Sequence, residues 1–168
     1  MSLLTILEVP DPVLKTPGVE VRTFDAALAA LLDDMLETMY KAPGIGLAGP
    51  QVGVSQRIAV VDISENKDEP MKLVNPVIEW KSDNIVQTEE GCLSLPGQYA
   101  DVRRPDAVHV RYHDEKGEPQ RVEADGLLAR CLQHELDHLD GILFTDHIST
   151  LKRGIIMRKL AKRRKLKG

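Results

Sequence analysis

The sequence predicts an α+β fold in which antiparallel β-sheets surround a central helix, with one further helix at the C-terminal end. Three observations predict it. Apolar residues recur at helical spacing in two separated stretches, 25–40 and 125–139. Between them lie short β-branched runs joined by tight connections such as Glu115-Lys116-Gly117, which suit antiparallel neighbours better than βαβ crossovers. A basic stretch without acids closes the chain.

Each element has its own signal. Thr23-Phe24-Asp25 opens the first helix, which carries Leu28, Leu31, Leu32, Met35, Leu36 and Met39 on one face and stops at the Pro43-Gly44 breaker. Strands are expected at 57–63, 72–80, 84–89, 106–113 and 119–124. The Pro and Gly clusters at 10–18, 43–53 and 96–105 read as loops within one domain. In Val108-His109-Val110-Arg111-Tyr112-His113 the apolar and polar residues alternate, which turns His109 and His113 away from the core. Asp125 caps the second helix, and Gly141 ends it. Ser149 caps the last helix, with Ile155, Ile156 and Leu160 as its anchors.

Composition narrows the class. A chain of 168 residues, 42% hydrophobic and 29% charged, can bury a core as one domain spanning 1–168. Its opening run has no basic leader, and no stretch approaches the ~20 apolar residues of a membrane span. An untargeted, soluble, cytoplasmic protein that binds no membrane is expected. Two cysteines, Cys92 and Cys131, are too few for a disulfide framework and suit a reducing compartment, where thiols serve as ligands or core residues. The net charge of -4 conceals an asymmetry: residues 151–168 hold nine Lys or Arg and no acid, so residues 1–150 carry 13 basic against 26 acidic groups. The basic C-terminal helix is a separate electrostatic object.

The chemistry starts on the second helix, at His134-Glu135-Leu136-Asp137-His138. Four residues advance a helix by about 6 Å and just over one turn, so both imidazoles can reach a single cation. Glu135 then lies beside that cation as a base. Two satisfied structural histidines are the bland reading. Apolar neighbours at Leu132, Leu136 and Leu139 turn the pair inward, where unliganded imidazoles are hard to satisfy, so a metal-binding helix is favoured. The third ligand must come from upstream: no Glu follows Glu135, Phe144 occupies the place of the third His of extended zinc proteases, and His147 comes three residues too late. Cys131 continues the stripe of His134 and His138, whereas Cys92 lies on a Gly- and Pro-bounded segment after a strand. A loop ligand joining two helical ones gives an open tetrahedral site more easily, which leans the choice to Cys92.

Three segments carry a resemblance. Gly44-Ile45-Gly46-Leu47-Ala48-Gly49-Pro50-Gln51, Glu90-Gly91-Cys92-Leu93-Ser94 and Gln133-His134-Glu135-Leu136-Asp137-His138 resemble, in order and spacing, the signature segments of peptide deformylases. The resemblance covers effectively the whole chain. It implies an enzyme, a metallohydrolase that removes the N-formyl group from the formyl-methionine of nascent polypeptides and releases formate. It implies that Cys92, His134 and His138 bind one divalent metal ion, Fe(II) in the cell, with Zn, Ni or Co able to occupy the site; affinity alone would favour zinc over Fe(II). Glu135 is the implied proton shuttle, and the Gln51 amide and Leu93 backbone N–H are the implied oxyanion donors.

Substrate selection also has a basis in the residues themselves. Gly44 and Gly46 let a peptide backbone approach closely, as an added strand. Ile45, Leu127, Cys131 and His134 are expected to wall the Met side-chain pocket, with Arg130 an odd polar neighbour. The resemblance puts Glu90 and Gly91 in the substrate-binding loop and implies that Glu90 pairs with Arg104, in an ion pair of the weak surface kind. Gly49 departs from the family, which usually has a second Ala there. Expected partners are formylated nascent peptides and, through the basic helix, the ribosome; the chain is read as a monomer. A zinc peptidase, a structural-metal binding module and a nucleic-acid protein are alternatives, and none of them explains the first two segments.

Overall fold

The computed structural model describes residues 2–167; Met1 and Gly168, the ends of the expected domain, lie outside the described residues. Helix α1 spans Ala26–Lys41, α2 Gly126–Leu139 and α3 Thr150–Lys167. Strands β1 (Gly46–Ala48), β2 (Ile58–Val61), β3 (Met71–Lys81), β6 (Ala107–His113) and β7 (Pro119–Asp125) form an antiparallel sheet in the order β1-β2-β3-β6-β7. Strands β4 (Ile85–Cys92) and β5 (Leu95–Pro105) form a separate antiparallel hairpin.

Alternation along β2 shows how the sheet is used. All four of its residues are buried. Ile58 and Val60 pack with Leu32, Met35 and Met39 of α1, whereas Ala59 and Val61 pack with Leu132, Leu136 and Leu139 of α2. The sheet is therefore sandwiched between the two helices, and α2 is held along its length by the α2-side core. A third cluster joins Leu95 and Val102 of β5 to Phe144, Ile156 and Leu160, which docks α3 and the hairpin on the same body.

The caps follow the sequence closely. Asp25 Oδ1 accepts from Leu28 N at 2.9 Å and starts α1. Ser149 Oγ accepts from Lys152 N at 3.1 Å and starts α3. Gly141, at φ 76°, ends α2 in the left-handed region. Asp125 holds the cap position of α2, but its side chain makes no capping bond.

Two expected loops contain strands. The 43–53 segment holds β1 and a single 3-10 turn, Gly49–Val52; the 96–105 segment is most of β5, an eleven-residue strand. Pro96, Gly97 and Pro105 mark breaks, yet β5 pairs only with β4 and tolerates residues that a central strand would not. The two remaining surface readings also change. His113 is half-buried, 6.0 Å from the Phe24 ring, and His109 is half-buried beside Trp80, because long side chains on neighbouring elements cover the outer face. Ile155 is exposed, so Ile156 and Leu160 anchor α3.

Candidate active site

Three sequence-distant segments meet against α2. On α2 itself, His134 and His138 stand one turn apart with ring centroids separated by 5.0 Å. The β4–β5 hairpin turns through Leu93 and Ser94, with a register irregularity between Gly91 and Cys92 that ends the ladder and re-aims Cys92. Cys92 Sγ comes to rest 3.4 Å from His138 Nε2. One donor atom from each of Cys92, His134 and His138 lies within 4.8 Å of the others. A tetrahedral ion held by one sulfur and two nitrogens sets its donors roughly 3.3–3.6 Å apart, so the residues present fit a cation. A soft thiolate with two imidazoles suits iron, zinc, cobalt or nickel. Cys131, the other candidate, is directed instead at the Ile45 carbonyl, 3.7 Å away.

Glu135 faces the same space. It is 4% exposed, and its Oε1 has no hydrogen-bond partner. Burial pushes its carboxyl up to about 7, with the nearby charge of His134 pulling the other way. Burial and the positive charges of His134 and Arg104 hold His138 well below its ordinary value, which keeps it a neutral donor.

Behind the donors lies a buried ion network. Arg104 Nε and Nη2 donate to the two Glu90 oxygens at 2.6 and 2.9 Å, and Arg104 Nη1 donates to Asp137 at 2.8 Å. Glu90 Oε1 also meets His134 Nδ1 at 3.0 Å, which leaves Nε2 as the ring nitrogen available to a cation. Burial alone would raise the Glu90 carboxyl, yet the bonds from His134 and Arg104 hold it well below the usual range. The Glu90–Arg104 pair is thus not a surface pair: both side chains are 5% exposed. Arg130 is no longer odd either, because it donates to Glu90 Oε2 and to the Val86 and Val102 carbonyls, tying α2 to both hairpin strands.

Gln51 is oriented at the end of the 3-10 turn. Its Oε1 accepts from Ala48 N at 3.0 Å, which aims Nε2 at Ser94 Oγ (3.1 Å) and toward Cys92 Sγ (3.5 Å). Gly49 begins that turn, and a methyl group there would lie 2.8 Å from the Val54 carbonyl and 3.0 Å from that of Gln56. In this backbone the glycine fits the space it has.

A cavity of about 420 Å³ opens in front of these groups. Gly44, Ile45, Gly46 and Gln51 line it from β1 and its flanks, Glu90, Gly91, Cys92 and Leu93 from the hairpin, and Leu127, Arg130, Cys131, His134 and Glu135 from α2. His138 lies behind the cavity, 1% exposed. Every site residue expected from the sequence, His138 excepted, lines this cavity. Sequence reasoning missed Tyr99, whose ring lies on Gly91 at the rim, because a lone Tyr in an expected loop gives no signal. It also missed Ser94 as the partner of Gln51; His147, set aside as a ligand, meets Asp137 through Nε2 at 2.8 Å.

Known proteins resemble this chain along nearly its whole length. The family model for polypeptide deformylase matches residues 3–154. The peptide deformylase of Hahella chejuensis is 54% identical over 168 residues, covering all of both chains, and that of Zymomonas mobilis is 51% identical over 173 residues, covering 99% of this chain and 98% of its own. The crystal structure of a peptide deformylase from Legionella pneumophila superposes with a TM-score of 0.94 at 46% identity, over 99% of this chain and 98% of that one. The chain belongs to the polypeptide deformylase family, metal-dependent hydrolases that remove the N-formyl group from nascent polypeptides.

Proposed function

We propose that Cys92, His134 and His138 hold one divalent cation, Fe(II) in the cell with Zn, Ni or Co as substitutes, and that Glu135, Gln51 and Leu93 carry out the hydrolysis. The observation behind this reading is the convergence of one thiol and two imidazoles beside a buried carboxylate with an unpartnered oxygen. A divalent cation in that position polarises a carbonyl oxygen and acidifies water. Glu135, with a carboxyl near 7, takes the proton from the attacking water and returns it to the leaving amine as the C–N bond breaks. The products are formate and a free amino terminus. Gln51 Nε2 and the Leu93 backbone N–H donate to the oxyanion, and removing one such donor commonly costs ~2.7–4 kcal/mol.

The substrate enters along β1. That strand pairs with β2 on one side only, so its other edge can take an extended peptide as a further strand. Ile45, Leu127, Cys131 and the aliphatic stem of Arg130 wall the Met pocket, and Gly44, Gly46, Glu90, Gly91 and His134 complete its surroundings. The whole chain acts as one catalytic domain, monomeric and cytoplasmic. No helix among the described residues is long and apolar enough to cross a membrane. The basic end of α3 docks the enzyme on ribosomal RNA: Lys152, Arg158, Lys159, Lys162, Lys165 and Lys167 are exposed on an otherwise acidic chain.

The test is anaerobic formate release from a formyl-Met peptide with metal analysis of the same sample. Formate should appear in proportion to bound metal. Acetyl-Met peptide should be poor, because only hydrogen lies beyond the formyl carbon and a site shaped around it excludes a methyl. Equal rates on both peptides, or cleavage of internal peptide bonds, would contradict the reading.

A further inference from the structure

We propose that Gly46 is a positioning residue for Glu135: its missing side chain makes the space in which the Glu135 carboxylate sits, and its bare Cα faces α2. Alternation along β1 decides this. Leu47 packs into the core on the α1 side and Ala48 into the core on the α2 side, and the close neighbours of Gly46 are likewise α2 side chains. A methyl group built on Gly46 would overlap Glu135 Oε2 and lie 2.9 Å from its carboxyl carbon and 3.0 Å from Cys131 Sγ. Ordinary contact between heavy atoms begins at roughly 3.5 Å. The methyl therefore cannot coexist with the observed carboxylate position.

What yields is equally clear. The closest obstructing atoms are the far end of the flexible Glu135 side chain and not backbone, so the fold can admit the methyl by swinging the carboxylate away while Cys131 Sγ, at 3.0 Å, gives by a few tenths of an ångström. No hydrogen bond holds Oε1 in place, and the walls of its site decide where it rests. Gly44 differs in kind: a methyl there would meet the tip of Leu93 at 2.9 Å, on the hairpin side of the cavity. The backbone of Gly46 remains free to pair with a peptide, so its two roles are separable. This inference rests on Glu135 as the proton shuttle and adds what sets that carboxylate's position.

The experiment compares wild type, Gly46→Ala, Glu135→Asp, the double variant and Glu135→Gln on a formyl-Met peptide, with metal content, melting temperature and a crystal structure of Gly46→Ala. Misplacing a catalytic group by about 1 Å can cost ~10²-fold, so kcat of Gly46→Ala should fall by about that factor while KM and metal content stay near wild type. Its structure should show the Glu135 carboxylate displaced. Asp is shorter by one methylene, so Glu135→Asp should cost much less when combined with Gly46→Ala than when made in the wild type. If Gly46→Ala folds poorly, the double variant should recover the fold, and failure of both to fold would overturn the proposal. So would kcat within twofold of wild type, a raised KM with kcat unchanged, or equal cost of Glu135→Asp with and without Gly46→Ala. Glu135→Gln separates the two readings: near-normal turnover there removes Glu135 itself, whereas a large loss there with none in Gly46→Ala removes only the role of Gly46.

Discussion

Replacing Glu90 with Gln should destabilise the protein and loosen its metal together. The substitution keeps the shape and removes the charge that faces two guanidiniums and one imidazole of the donor set. Breaking a buried ion pair from one side commonly costs ~3–5 kcal/mol. Here the low end applies, because Arg104 keeps Asp137 at 2.8 Å and Arg130 keeps the Val86 and Val102 carbonyls. About 3 kcal/mol in a chain of this size lowers Tm by ~6–12 °C, at 2–4 °C per kcal/mol. Replacing the charged acceptor on His134 Nδ1 by a neutral amide, whose single oxygen His134 and the two guanidiniums must share, should weaken metal affinity as well, by up to ~10–100-fold. The Glu90 carboxyl is held below its ordinary value, so its contribution is complete above the unfolded value of ~4.3 and is lost as the pH falls below that. Calorimetric melting curves of wild type and Glu90→Gln should therefore differ at neutral pH and converge on acidification. A neutral-pH Tm within 2 °C of wild type, with metal retained through dialysis against a chelator, would refute the account of Glu90 as the hub.

Four further outcomes follow from the same geometry. Cys92→Ser should lose metal on dialysis while Cys131→Ser retains it, as read by metal analysis; full occupancy in the Cys92 variant would remove it from the ligand set. Glu135→Gln should bind metal and keep its Tm but lose ~10²–10⁴-fold in kcat, and near-normal turnover would exclude it as the base. Metal uptake should release protons and weaken as the pH falls, because burial, which favours a neutral His134, is outweighed by the bonds and charges of Cys92, Glu90 and Glu135, which hold it protonated without the ion; pH-independent affinity would argue against that ligand. Neutralising Lys159, Lys162, Lys165 and Lys167 should reduce ribosome co-sedimentation and flatten its salt dependence while formate release from a free peptide is unchanged. These substitutions are preferable to a cut after Arg158, which would also remove the buried Leu160 and the contacts of Arg163 with Glu8 and Arg164 with the Val9 carbonyl.

Much of the molecule is legible in the chain alone. The helix of His134 and His138, its stop at Gly141, the caps Asp25 and Ser149 and the inward stripe of α1 all depend on residues within about one turn of each other. Local spacing encodes them directly. The antiparallel sheets and the α+β class follow from period-two runs and short connections in the same way. The preference for Cys92 over Cys131 came from loop against helix; in the fold Cys92 is the last residue of β4, at the hairpin turn, and its thiol lies beside His138.

What the chain could not disclose locally is which side chain meets which across the fold. Glu90 and Arg104 read as a weak surface pair, because nothing in their neighbourhood reports the core that buries them to 5% exposure. Arg130 looked out of place until its three acceptors, drawn from β4 and β5, came within reach. Gly46 read as an opening for substrate, and only the packing of β1 on α2 discloses that its bare Cα also points at Glu135. Strand β5 was hidden by its own Pro and Gly residues, since a hairpin edge accepts breakers that a buried central strand refuses. Near neighbours along the chain were enough to point to His134, His138 and Glu135 and to the elements that bear them, because helical spacing is a local property. Burial is not local: it sets the charge state of Glu135 and the strength of the network around Glu90, and both depend on how much water the packing of distant segments excludes.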